Sequence, residues 1–281
     1  MSAQSAELIL ASCRQAALTL QTAPPINGNI EFRHRLAETF MAVLDSPVAH
    51  HAATQAQNTL SLLLQRNKRD NRSLSRFAHG WNDMHGSSDL VGILALRMHQ
   101  QNAHQAAGKM MEIIADDIGA HGSPHRDLFA RFANTICCPE SWRHNNTRIK
   151  ACTQFRAYLR DTRTHQPLET ATMVTACSEI WNVGEYTVFA PHMQPWLRKS
   201  FAVDKNTARR AAAYVQVHAG KTELQHFHFA IAARELLAKE RGMPLNPAAE
   251  AAAAGSIMTR YLDELGKGFS GLHAALRPTL T

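Results

Sequence analysis

The sequence predicts an all-α protein. Ala, Leu, Gln, Glu, Arg and Met dominate its 281 residues, and these residue types lose little free energy in a helix. Runs of alternating β-branched residues, which mark strands, are almost absent, and so are hairpin turns flanked by such runs. We therefore expect helices and no sheet.

Ten helices follow from this composition and from the residues that interrupt it. Three segments rich in Gly, Asn and Pro punctuate the chain, namely Asn27-Gly28-Asn29, Gly86-Ser87-Ser88 and Pro244-Leu245-Asn246-Pro247. The Ala249–Ala254 tract favours a close-packed helix over a linker. The expected helices span residues 5–21, 31–44, 47–66, 70–84, 88–119, 124–136, 141–160, 168–200 with a break or bend, 204–241 and 247–265.

The organisation of the chain is that of a single domain. No internal repeat is evident, and no stretch looks like a domain boundary. We expect one helical domain over residues 1–281, with an N-terminal helical extension at residues 1–85.

The formal charge of +7 says little about partners, because most of the basic residues are dispersed. A local basic run has no interleaved aromatic residue before Phe77, so we interpret it as a solvated helix end or loop and not as a nucleic-acid site. This run consists of Arg66, Lys68, Arg69, Arg72 and Arg76.

The cysteines and the N-terminus indicate a cytoplasmic protein. The five cysteines form no C-x-x-C pair and suit a reducing compartment. The first residues lack the basic segment of a secretory signal, and no apolar run has membrane-spanning length. We therefore expect a soluble protein without a membrane partner.

A helix–loop–helix segment provides the first candidate ligands. Gly119 and Gly122 suit the end of one helix. Ser123 is a natural N-cap for the next helix, with Pro124 at its first helical position. This arrangement brings a carboxylate at one helix end close to the imidazole of His125, although such pairs also occur by chance.

A second candidate is Glu185. It is flanked by Val183, Val188 and Phe189, so we expect it to be at least partly buried. A buried carboxylate stays ionised only when it is paired or bound to a metal. Glu179 is its competitor, and the two cannot face the same direction on one regular helix. A salt bridge to an arginine is the alternative for either residue.

The densest group of ligand types is His218, Glu223, His226 and His228. Glu223 and His226 are about 60° apart around a helix and face one point, whereas His228 points about 160° away from His226 and is excluded. His218 is about 140° from Glu223 on a regular helix. It joins the other two only if a π-bulge or local unwinding occurs at Gly220.

The order of these pieces resembles the haem-oxygenase-like diiron oxidases and oxygenases. The shared features are an acid at a helix end, a Gly-containing loop, the motif His-x-x-Leu-Phe, a later Glu, and a final His–acid–His. The resemblance covers roughly residues 90–240. It implies the metal ligands Asp117, His125, Glu185, His218, Glu223 and His226.

Three features depart from the usual pattern of that family. Asp117 stands where Glu is usual, and Glu223 stands where Asp is usual. The last motif is also one residue longer between His218 and Glu223.

The resemblance implies a haem-oxygenase-like helical bundle with a metal-binding core at 86–241 and a C-terminal helix within 242–281. It implies two Fe(II) ions per chain, O₂ as co-substrate, and oxidation of a small biosynthetic metabolite that is amino-acid-like or fatty-acid-like. An external electron donor and a homodimer are implied as partners. Candidates for the pocket wall, more often plain core residues, are Trp181, Tyr186, Phe189, Tyr214 and Phe227.

Two alternatives stay open. The chain could be a metal-independent enzyme of the same fold, like the thiaminase-like or pyrroloquinoline-quinone-synthesis proteins. It could also be a non-catalytic helical interaction protein in which the histidines are incidental. Haem binding is a weaker third option, because the start of the chain has no clear counterpart of a proximal histidine.

Overall fold

The computed structural model describes residues 4–26 and 29–277 and is all-α over that part of the chain, as predicted. Asn27 and Gly28 of the predicted turn lie outside the described residues. The described α-helices are α1 Gln4–Leu18, α2 Ile30–Leu44, α3 Pro47–Leu63, α4 Asn71–His85, α5 Ser88–Gln100, α6 His104–Asp117, α7 His125–Ile136, α8 Lys150–Thr164, α9 Leu168–Phe201, α10 Lys205–His218, α11 Lys221–Glu240 and α12 Pro247–Leu276.

Two long helices organise the bundle. Helix α9 has 34 residues, or about 50 Å of helix, and it packs against α1, α10 and α11. Helix α12 packs against α2, α3, α4, α8 and α9. Their buried faces form one continuous apolar core to which α1–α4 also contribute, so the N-terminal segment packs into the same core as the later helices.

Two of the expected helices are broken. The segment 88–119 forms α5 and α6, separated at Asn102, whose φ of 62° lies in the left-handed region that asparagine tolerates better than most residues. The segment 204–241 forms α10 and α11, separated at Gly220. By contrast, the segment expected at 168–200 with a break or bend forms the single helix α9, which continues through Pro191 and Pro195 without a break.

The turn between α6 and α7 follows the prediction except at the start of α7. Gly119 ends α6 with a φ of 88°, where a Cβ would lie 2.7 Å from the nitrogen of Pro124. Helix α7 begins at His125, and its N-cap is Pro124, whose carbonyl accepts hydrogen bonds from the next turn. The prediction of Ser123 as N-cap is therefore wrong by one residue, because the extended ψ of 133° at Pro124 keeps that residue outside the helix.

Across residues 4–26 and 29–277, no helix combines the length and the apolar character needed to cross a membrane.

Candidate metal centre

A cavity of about 280 Å³ lies between the α4–α5 turn and helices α6, α7, α9, α10 and α11. Four ionisable side chains at its inner end are buried, namely Glu179, His218, Glu223 and His226. Asp117 and His125 are partly exposed, and Gly86, Asp89 and Arg126 are exposed at its rim. The cavity thus has a buried inner end rich in metal-ligand types and an open polar mouth.

The tightest group at the inner end is Glu179, Glu223 and His226. One ligand atom from each of them lies within 4.8 Å of those of the other two, and all three residues are buried. Glu223 and His226 face the same point because they are three residues apart on α11. Glu179 approaches from α9, which packs along α11.

The electrostatics of this group favour a bound cation. Burial raises the pKa of Glu179 to about 7, and it also raises the pKa of Glu223. Burial opposes the charge on His226, but the hydrogen bond and charge of Glu179 outweigh that effect and raise the pKa of His226 to about 10. Two carboxylates buried this close together are costly as anions, and a bound metal ion would offset their charge.

A second group adjoins the first. His125 Nδ1 lies 2.8 Å from Asp117 Oδ1, and His218 Nδ1 lies 2.5 Å from Glu223 Oε1. The rings of His125 and His218 are 4.4 Å apart between centroids. Glu223 belongs to the first group and contacts His218 of the second, so it would be shared between the two sets of metal-ligand types.

His218 joins the group because the chain unwinds at Gly220, which was the condition set by the sequence. Helix α10 ends at His218 and α11 begins at Lys221. Gly220 has φ 108° and ψ −128°, a conformation that other residues rarely adopt. The unwinding is a complete helix break and not a π-bulge, so His218 and Glu223 belong to different helices.

His218 also carries an unsatisfied nitrogen. Burial lowers the pKa of His218 to about 3, so the ring is neutral at physiological pH. Its Nδ1 faces Glu223, while its Nε2 is buried without a hydrogen-bond partner in the described part of the chain. A buried imidazole nitrogen without a hydrogen-bond partner is suited to binding a metal ion.

Glu185 does not line the cavity. It is fully buried, accepts a hydrogen bond of 2.5 Å from Trp181 Nε1, and has Oε1 3.0 Å from His85 Nε2. On the continuous helix α9, Glu179 and Glu185 are about 120° apart, so only one of them can face the cavity. The structure brings Glu179 there in place of Glu185, and Glu179 was the competitor that the sequence identified.

Three residues on the cavity or in contact with its lining were missed by the sequence interpretation. His85, in the segment expected as an extension, lines the cavity and stacks on Trp81 with 4.3 Å between ring centroids. Asn182 Nδ2 donates to Glu223 Oε2 at 3.0 Å. Asp116 Oδ2 lies 3.1 Å from His226 Nε2. No motif marks them, because each is defined by a contact between distant parts of the chain.

The remaining aromatic and histidine candidates are mostly structural. Tyr214 lines the cavity, with Phe129 beside it. Four other candidates for the pocket wall pack in the core and do not line the cavity, namely Trp181, Tyr186, Phe189 and Phe227. His228 points away from the group, with Nε2 2.9 Å from Thr19 Oγ1, as its helical position predicts.

Comparisons with known proteins support the fold. No family model matches the chain, and no curated protein matches it. Among solved structures, it is similar to the crystal structure of a TenA homolog from Pseudomonas syringae pv. tomato str. DC3000, with a TM-score of 0.53 and 10% identity over 80% of this chain and 92% of that one. That neighbour has a haem-oxygenase-like helical fold, so the predicted fold is confirmed.

Proposed function

We propose that this protein is a non-haem diiron oxidase or oxygenase that uses O₂ to oxidise a small metabolite. One observation carries the proposal: the residues that line a single cavity include three carboxylates and three imidazoles linked by mutual contacts. They are Asp117, His125, Glu179, His218, Glu223 and His226. This mixed set of oxygen and nitrogen donors suits Fe(II), and its mutual proximity suits a pair of ions.

The chain's own residues would hold and shield the metals. Glu179, Glu223 and His226 would bind one ion, and Asp117, His125 and His218 the other, with Glu223 between them. When bound, the two Fe(II) ions would supply electrons for the reduction of O₂. Asn182 donates a hydrogen bond to one oxygen of Glu223, and the aromatic rings of Tyr214 and Phe129 form part of the cavity wall. An external electron donor and a homodimer are part of the proposal.

The size and lining of the cavity favour an amino-acid-like substrate over a fatty-acid-like one. About 280 Å³ is at the small end of ligand pockets. Its lining is mostly polar or ionisable, with Val91, Phe129 and Tyr214 as the main apolar contacts. A long acyl chain would exceed this volume, whereas a short polar molecule would fit and find hydrogen-bond partners.

Arg126 is the residue we assign to a substrate carboxylate. It is exposed at the rim, and its guanidinium forms no hydrogen bond or ion pair with any other described residue. The other rim arginine, Arg156, is already paired with Asp89 at 2.9 Å. A free guanidinium at the mouth of the cavity suits the two oxygens of a carboxylate.

A metal-independent enzyme of the same fold is the second candidate function. Two observations support it. The fold is similar to that of the TenA homolog, and carboxylates of the cavity contact imidazoles directly. His125 with Asp117 and His218 with Glu223 form such pairs. In that case these residues would bind an organic substrate and exchange protons with it. No observation favours the third alternative, a non-catalytic interaction protein.

Metal analysis tests the proposal directly. Purified protein is loaded with Fe(II) without oxygen, desalted, and analysed for iron per chain, and O₂ consumption is then followed. We expect about two irons per chain. Glu179→Gln should lose iron, and Glu185→Gln on the same helix should keep it, because only Glu179 lines the cavity. No retained iron in the unaltered protein would exclude the diiron function and favour the second candidate.

A further inference from the structure

Two consecutive aspartates at the end of α6 contact different histidines. Asp117 lies on the cavity, 2.8 Å from His125. Asp116 does not line this cavity, and its two oxygens contact His226 Nε2 at 3.1 Å and His121 Nδ1 at 2.6 Å. Neighbouring residues on a helix point about 100° apart, so the pair can reach opposite sides of the cavity wall.

His226 has its two ring nitrogens in different surroundings. Nε2 faces Asp116, while Nδ1 lies 3.8 Å from Glu179 Oε2, on the cavity side. A carboxylate only accepts hydrogen bonds, so Asp116 keeps a proton on Nε2. The lone pair needed for a metal is then restricted to Nδ1, the nitrogen nearer to Glu179.

We propose that Asp116 is a positioning residue, which sets the ring orientation of His226 and directs its Nδ1 towards the metal. This inference rests on the proposed function of the cavity. A histidine that binds a metal through one nitrogen commonly donates its other N–H to a carboxylate, and loss of that partner typically weakens metal affinity by 10- to 100-fold. The buried ring of His226 has no other hydrogen-bond acceptor at Nε2 in the described residues.

His121 supports this arrangement from the turn between α6 and α7. It contacts the other oxygen of Asp116, but its side chain is 76% exposed. An exposed contact of this kind contributes little, so His121 steadies the carboxylate without being required.

The experiment measures Fe(II) affinity by anaerobic competition with a chromogenic chelator. Asp116→Ala should bind Fe(II) about 10- to 100-fold more weakly, with Asp116→Asn, which keeps the shape, in between. Asp127→Ala is the matched control, because Asp127 is exposed on α7 and its side chain forms no hydrogen bond or ion pair with another described residue. His121→Ala should bind like the unaltered protein.

A second readout separates positioning from general damage. Nitrogen NMR of the His226 ring in Zn(II)-loaded protein should show a proton on Nε2 and the metal on Nδ1, and Asp116→Ala should weaken or lose the Nε2–H signal. If Asp116→Ala and the unaltered protein bind Fe(II) equally, the inference is wrong and the diiron function stands. If the unaltered protein binds no iron, both are wrong.

Discussion

Helix α11 carries two fully buried glutamates whose surroundings differ completely. Glu235 receives two hydrogen bonds from the guanidinium of Arg33, at 2.7 and 2.6 Å. Glu223, three turns earlier, contacts His218 and Asn182, and forms no ion pair with a lysine or arginine among the described residues. The permanent positive charge of Arg33 thus offsets the charge of Glu235. Glu223, by contrast, contacts a titratable histidine and a neutral amide.

This difference separates a structural ion pair from a candidate site. The Arg33–Glu235 pair lies among closely packed helices and needs nothing further. Glu223 lies on a cavity beside a second buried acid, Glu179. Burial of two acids around an open space is costly, and it is typical of a position where a cation or a substrate binds.

Substitution of Arg33 should have the largest effect on stability. Arg33→Met leaves Glu235 buried without its guanidinium, so we expect the free energy of unfolding to fall by about 3–5 kcal/mol in urea titrations. Glu223→Gln in metal-free protein should not lose stability on this scale, because it removes one of two crowded buried acids. Equal losses in the two variants would contradict the distinction between the two sites.

The pH dependence of the free energy of unfolding of the metal-free protein should report on the buried acids at the cavity. The pKa of Glu179 is raised from 4.5 to about 7, so the folded state retains a proton that the unfolded state releases. The stability from this proton is complete below pH 4.5 and is lost as the pH rises to about 7, with a slope of at most about 1.4 kcal/mol per pH unit.

His226 extends the same trend. Its pKa is raised from 6.5 to about 10, so its contribution is present below pH 6.5 and is lost as the pH rises through 10. Urea unfolding between pH 4.5 and 10 measures both contributions. Glu179→Gln should flatten the lower part of the curve, and an unchanged curve would show that Glu179 does not hold the proton.

The smallest expected effect is at the rim. Arg126→Ala should weaken binding of short amino acids about tenfold, because a charge-assisted hydrogen bond at an exposed rim is expected at the lower end of its range, about 1.5 kcal/mol. Thermal-shift titrations of metal-loaded protein with amino acids, and with the matched amines that lack the carboxylate, measure this preference. Arg131→Ala, an exposed arginine on the same helix, is the control, and tighter binding of the amines would argue against Arg126 as an anion contact.

Much of the site could be predicted because its residues have local signatures. Glu223 and His226 share a helix face by spacing alone, and Gly119 marks the end of α6 wherever that helix packs. The choice between Glu179 and Glu185 could not be made, because it depends on which side of α9 meets α11. His85 is about a hundred residues away from Glu185 in the chain, so only the fold shows that they meet.

The sequence by itself determined the helical class and five of the six residues proposed to hold the metal ions, because composition and helical periodicity act over a few turns. Tertiary structure decided the rest. It selected Glu179, separated α10 from α11 at Gly220, brought Asn182 and His85 to the cavity, and placed Asp116 against His226. These outcomes depend on how the helices pack, and the rotation of one long helix against another is set by the whole core and not by local spacing.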